Sequence, residues 1–401
     1  MKTIALVDTL WGGHHPTYLK FFAKTLLELG HEVIVLCPEP EEVNQWIISF
    51  CPELTNRLHC FELNEPLLPY FPLRRWQRRK MAIARWQQVA KIMEKIAAKL
   101  GKIPDLTFFA WLDSYLGPYL TAAISDRFFP YPWSGLYFQP RYLRIPPKFK
   151  WMRHGILNPL SVLKSSHCPV VAVLDEGIAD KLQQKLNKPV VTFPDFTDES
   201  APDMSFEIAQ KIRTKAAGRK IIGLLGSLDK RKGTLTLLEV SRQASDRWFF
   251  VFAGKLAEPA FTAVELAKIE EIVKVNPDNC FFHLTRIPTE AQFNAIIQIC
   301  DLLYAAYENF FPSVNVLIKA AIFEKPVIAS KNYCMGERVQ KFNLGYGIEG
   351  GSVSQCVSIL ERLHEELSTG NLSIQPDFEG YRHLHSIDQL ISAFQKILEF
   401  V

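Results

Sequence analysis

The stretch that decides the fold runs from Thr3 to Glu39, TIALVDTLWGGHHPTYLKFFAKTLLELGHEVIVLCPE. A short β-branched run ends at a Gly12-Gly13 turn, and a helix with Leu19, Phe22 and Leu26 on one face follows. Gly30 stops that helix, and Val33 to Leu36 form a second strand, which makes one βαβ unit. The pattern continues outward with strand runs at Leu106 to Ala110, Pro169 to Leu174 and Val190 to Phe193, and a helical run at Glu176 to Leu186 between the last two. The first half therefore reads as an open α/β layer with crossover helices.

The text PDFTDESAPDM, Pro194 to Met204, is rich in Pro, Asp and Ser and reads as a linker. Beyond it the alternation restarts with KIIGLLGSLDKRKGTLTLLEV from Lys220. Further strand runs follow at Trp248 to Ala253, Cys280 to Leu284, Asp301 to Tyr304 and Pro326 to Ala329. Apolar residues at Ile387, Leu390, Ile391, Phe394, Ile397 and Leu398 have the spacing of an amphipathic helix. The expected organisation is α/β throughout, with two doubly wound domains at residues 1–197 and 198–385 and a final helix at 386–401. Tandem sheets of this kind are expected to offer the carboxyl ends of their strands to a ligand cleft.

Composition excludes other classes. Of 401 residues, 48% are hydrophobic and 22% charged, which rules out disorder, collagen and coiled coil. The opening MKTIALVD lacks the apolar core and cleavage site of a secretory leader, and apolar runs are too short to span a bilayer. The eight cysteines show no CxxC pair or metal-like spacing and read as free thiols in a reducing compartment. Net charge is +4, but residues 1 to 195 carry 24 Lys and Arg against 17 Asp and Glu, leaving 22 against 25 for the remainder.

Three loops carry candidate chemistry. Gly226-Ser227-Leu228-Asp229-Lys230-Arg231-Lys232-Gly233 lies between a strand and a helix, so its amides and cations suit a phosphate; a solvated basic turn is the alternative. In AAYENFFPSVNVLIKAAIFEKPVIAS, Ala305 to Ser330, Pro312 and Ser313 open a helix whose first turns hold Asn315 and Lys319. That segment reads either as a second helix N-terminus for an anion or as a structural helix with an exposed lysine. Gly12-Gly13-His14-His15-Pro16 sets flexible glycines beside two imidazoles at a helix start. A literal GxGxxG at Gly345 to Gly350 follows a helix and a turn, and so reads as a loop. No DxD pair occurs, so no metal is expected.

Together, GSLDKRKG, the Pro-Ser helix segment ending AAIFEKPVIAS, the first Gly-Gly loop and VLDEGIADKL resemble the GT-B glycosyltransferases, most of all the family 4 pattern (glycosyl transferases group 1). The resemblance implies two Rossmann-like domains, a nucleotide-sugar donor held by the second, an acceptor held mainly by the first, and a last helix that crosses back. Carried over by motif, Lys232 would bind the donor diphosphate, and amides around Ser313, Val314 and Asn315 would cap its distal phosphate. Arg286, Ile287 and Pro288 would lie against the base, and Gly12, Gly13, Gly226 and Ser227 would line the donor site. The family usually has arginine at Ser227 and two glutamates where this chain has Phe311 and Lys319. Arg231 would replace the arginine, and Lys319 would take a phosphate. The first loop is similar to the Gly-His loop of inverting GT-B enzymes, which implies His14 as the base with Asp113 as its orienting carboxylate. In a retaining enzyme, as family 4 members are, His14 would instead bind phosphate or sugar. On the residues alone, both read equally as a backbone-satisfied histidine and a helix-capping aspartate.

Residues 71 to 100 hold nine basic residues and one acid. Arg74, Arg75, Arg78 and Arg79, with Arg141 and Arg144 in YFQPRYLRIPPKFKW, make an anionic membrane surface a candidate partner. A core-facing apolar stripe with a solvated charged back is the alternative. The expectation is a cytoplasmic, metal-independent glycosyltransferase without cofactor, peripheral on the inner membrane face, whose acceptor is a glycan, lipid or small molecule. Nucleic acid is not an expected partner. The competing class is a catalytically degenerate GT-B protein that binds nucleotide or membrane as a scaffold.

Overall fold

The computed structural model describes residues 1–66, 75–117, 119–145, 158–244, 246–369 and 373–401. The chain divides into two units, Met1–Pro194 with Ile387–Val401, and Asp195–Ser386; the sequence reading drew these limits at 197/198 and 385/386.

In the first unit, β1 (Thr3–Val7), β2 (Glu32–Cys37), β3 (Leu58–Glu62), β4 (Leu106–Phe109), β5 (Trp133–Tyr137), β6 (Val171–Val173) and β7 (Val190–Thr192) form one sheet. Its order is β3-β2-β1-β4-β5-β6-β7 and every pairing is parallel, with Ile4 between Val33 and Leu106. Helices α1 (His15–Glu28), α2 (Pro40–Phe50), α3 (Arg75–Leu100), α4 (Ala122–Phe128), α5 (Arg141–Arg144) and α6 (Glu176–Leu186) connect them. Because both faces are covered, β1 is an unbroken apolar run rather than an alternating one. On one face Trp86 of α3 packs against Phe109, Tyr115, Phe129 and Trp133, with ring centroids 5.0–5.6 Å apart.

In the second unit, β8 (Lys220–Leu225), β9 (Trp248–Ala253), β10 (Cys280–His283), β11 (Leu302–Ala305), β12 (Val327–Ser330) and β13 (Gly345–Ile348) pair in the order β10-β9-β8-β11-β12-β13, again all parallel. Around them lie α7 (Glu207–Ala216), α8 (Thr234–Gln243), α9 (Ala263–Val275), α10 (Glu290–Ile299), α11 (Asn315–Ile322), α12 (Tyr333–Lys341), α13 (Val353–Thr369) and α14 (Phe378–Leu384). The last helix, α15 (Ile387–Leu398), belongs to the first unit, where Phe394 closes an aromatic cluster with Phe22, Phe108 and Phe193 at 5.1–5.3 Å from each.

The sequence reading lacked β3, β5 and β13. The last of these corrects the loop expected at GxGxxG, since Gly345–Ile348 of that motif form a strand. A Cβ on Gly345 would stand 1.9 Å from the Val327 carbonyl oxygen, so glycine is needed for strand contact there and not for a dinucleotide. In each sheet the order reverses once, between β1 and β4 and between β8 and β11, and loops beyond those strand ends are where open α/β sheets bind ligands.

Candidate functional site

At the first reversal, Asp8 follows β1 directly and is nearly fully buried. One carboxylate oxygen accepts the Leu10 N–H at 2.9 Å, which turns the chain, and the other lies 2.8 Å from His15 Nδ1. Gly13, at φ +61°, lets the loop reach the start of α1, where His15 is the first helical residue and Pro16 fixes the first turn. The imidazole rests on Trp111 with centroids 4.3 Å apart, and Trp111 in turn stacks on Phe138 at 3.9 Å. A histidine whose Nδ1–H is donated to a buried carboxylate presents its Nε2 lone pair as a base.

Asp113 does other work. Its two oxygens accept the Phe138 and Gln139 amides at 2.8 and 2.9 Å, which ties the turn after β4 to the turn after β5. Burial pushes its carboxyl up to about 6, partly opposed by those amides and by nearby His15. The structure pairs His15 with Asp8, where the expectation paired His14 with Asp113. His14 sits at the N-cap position, its carbonyl accepting the Tyr18 N–H at 3.1 Å. An Asp at a strand end seven residues before a His at a helix start was the available signal, because the intervening glycine turn folds one onto the other.

At the second reversal, Gly226 (φ +89°) and Gly233 (φ +77°) bracket the basic loop. Asp229 orders it by accepting the Lys232 N–H at 2.9 Å on its side chain and the Thr234 hydroxyl at 2.8 Å on its carbonyl. The three cations differ in what holds them. Lys230 pairs with Glu265, whereas Arg231 lies 3.3 Å from Asp229 and its guanidinium covers the Phe310 ring at 4.4 Å. Lys232 forms no ion pair among the described residues; its ammonium lies 3.3 Å from where a Cβ on Gly226 would be and 5.7 Å from the Tyr307 ring centre. An unpaired ammonium at a strand-to-helix turn is a ready anion ligand.

Compared with models of protein families and with curated sequences, the chain matches none. Solved structures do match. HepE from Anabaena, in complex with UDP and glucose, aligns over 100% of both chains with a TM-score of 0.68 at 13% identity. Sucrose-phosphate synthase from Thermosynechococcus elongatus aligns over 100% of this chain and 98% of its own, with a TM-score of 0.69 at 15% identity. WaaG, a glycosyltransferase involved in lipopolysaccharide biosynthesis, covers 98% of both chains with a TM-score of 0.61 at 12% identity.

The chain has the GT-B fold. Within it, the remaining expected residues fall into two groups. Ser227 is exposed in the basic loop, and Arg286 and Pro288 are exposed around the buried Ile287 between β10 and α10. The other group is turned inward. The Ser313 hydroxyl is taken by Asp195 and Arg338, and the Asn315 side chain bonds Thr197 and the Phe196 carbonyl at 3.0 and 3.1 Å. Lys319, expected to take a phosphate, is 1% exposed, and its ammonium donates to the Asp198 carbonyl, Asn294 and Glu290 at 2.7, 2.6 and 3.0 Å. That expectation is corrected, because all three protons have protein acceptors. The backbone around Val314 at the start of α11 is left for the role the resemblance implied.

The basic surface of this GT-B chain is also redistributed. Arg144 is bidentate to the buried Asp175, which caps α6, so Arg144 is spent inside the first unit and not on a partner. Arg141 and Arg79 are exposed. Arg74 lies outside the described residues, as do the side chains of Arg75 and Arg78 and residues 148, 150 and 151. In α3 the apolar residues Trp86, Val89, Met93 and Ile96 are consumed by the core, leaving Lys80, Lys91 and Lys95 on a charged back.

Proposed function

We propose that the chain is a glycosyltransferase that moves a sugar from a nucleotide-diphosphate sugar to an acceptor hydroxyl without a metal. The observation that carries this reading is Lys232, an ammonium with no carboxylate partner among the described residues, on an ordered loop at the reversal of the second sheet. UDP complexes of a structure with the same fold support it. Lys232, with Arg231, the Ser227 amide beside Gly226 and the amides at Ser313 to Asn315, would neutralise the diphosphate as it leaves with the electrons of the anomeric C–O bond. Arg286, Ile287 and Pro288 would lie beside the base. His15, oriented by Asp8, would take the acceptor proton while that oxygen attacks the anomeric carbon, with Gly12 and Gly13 allowing close approach. A lipid-linked or amphipathic acceptor and a cytoplasmic setting at an anionic membrane face complete the proposal.

A UDP-glucose turnover assay with mixed glycan and lipid acceptors tests it. Turnover that falls at least a hundredfold in His15→Ala and Lys232→Ala supports the roles given, while turnover unchanged in both removes them. A nucleotide-binding scaffold is the second reading, favoured by Lys319, which stands where the family has its second glutamate and is locked in the interior. Tight UDP binding with no turnover of any donor would select it.

A further inference from the structure

Every residue from Asp195 to Asp198, the first four residues of the second unit after the chain leaves the first at Pro194, is held by α11 or the turn before it. Asp195 meets Ser313, Phe196 offers its carbonyl to Asn315 at 3.1 Å, Thr197 donates to Asn315 at 3.0 Å, and Asp198 offers its carbonyl to Lys319 at 2.7 Å. The return crossing is tied to the same point, since the Asp195 N–H donates to His385 Nδ1 at 2.9 Å and the chain re-enters the first unit at Ile387. Arg338, buried beneath, contacts both Ser313 and Asp195. Buried polar networks of this kind rigidify the segments they join.

We propose that Asp195 and Thr197 are positioning residues of the donor site: through Ser313 and Asn315 they fix the turn 312–315 that meets the donor diphosphate, so nucleotide binding and the order of the connector 195–198 are coupled. This rests on the nucleotide-sugar reading above. The coupling is reciprocal, so a ligand that needs the turn in one place must also quiet the connector, and loosening the connector must weaken the ligand. Thr197 is the residue to probe, because its hydroxyl bonds Asn315 in the turn and it is not itself a ligand group.

The test is hydrogen exchange of the 195–198 amides with and without UDP, together with UDP titration, on the parent chain, Thr197→Val and Thr197→Ser. The expected result is that UDP slows exchange there about tenfold in the parent. Thr197→Val should lose that protection and bind UDP about fivefold less tightly, the worth of one ordinary hydrogen bond, and Thr197→Ser should restore both. A residue that merely supported the fold would lower the melting temperature and leave the UDP affinity and its effect on the connector unchanged; that outcome overturns the proposal. UDP bound by the parent without protection at 195–198 overturns the coupling alone. No UDP binding by the parent overturns it together with the nucleotide-sugar reading.

Discussion

Asp113 gives a prediction whose size follows from its surroundings. Its carboxyl titrates near 6 in the folded chain, against 3.8 for a free aspartate, because burial penalises the charge more than the Phe138 and Gln139 amides relieve it. Below pH 4 both folded and unfolded chains hold the proton and the group is neutral to stability. Between pH 4 and 6 the unfolded chain has released it while the folded chain keeps it, so stability falls as pH rises. Above 6 both are ionised and the cost stays constant. At 1.36 kcal/mol per unit, the loss across the window is about 3 kcal/mol. Asp113→Asn keeps one amide acceptor and removes the titration, so the difference in unfolding free energy between variant and parent should grow by that amount from pH 4 to 6.5. In a calorimetric scan this is a relative shift of roughly 6–12 °C for a unit of this size. A difference that stays flat across the window would refute the claim that Asp113 is a desolvated loop anchor.

Three further outcomes are expected. Lys232→Ala should weaken UDP binding by about 10- to 100-fold, the range for a charge-assisted hydrogen bond, as read by titration calorimetry, with an unchanged melting temperature in the absence of ligand because Lys232 forms no ion pair among the described residues. Phe394→Ala empties the aromatic cluster between α1, β4, Phe193 just after β7, and α15, and should cost about 3–5 kcal/mol in denaturant unfolding. Reversal of Arg79, Lys80, Lys91 and Lys95 to glutamate should abolish sedimentation with anionic vesicles and leave UDP affinity as it was; retained sedimentation would remove the membrane surface from the account.

The strands that the sequence displays are those buried on both faces, such as Thr3–Val7 and Trp248–Ala253, where an unbroken apolar run survives. Those it hides are short, half-covered or glycine-bearing, as in Leu58–Glu62 and Gly345–Ile348, where tertiary pairing outweighs local propensity. The basic loop was legible because its strand, glycines and helix are contiguous. Its division of labour was not, since only the fold brings Glu265 to Lys230 and Phe310 to Arg231. The same holds for His15: the sequence offers two adjacent histidines, and only the turn that carries Asp8 back onto the second pairs it with that carboxylate. Lys319 is the instructive miss, because a lysine in an apolar helix usually lies outside, and here Asn294 and the Asp198 carbonyl lie within the interior to receive it.

The central claim is that the loop around Lys232 binds the diphosphate of a nucleotide sugar, and it is tested most directly by a thermal-shift panel of UDP, GDP, dTDP, ADP and CDP on the parent chain and on Lys232→Ala. At a hundred times its dissociation constant the cognate nucleotide should stabilise the parent by about 2.7 kcal/mol. The account predicts a shift for one nucleotide that disappears in the variant; a shift of equal size in both, or none for any of the five, would contradict it.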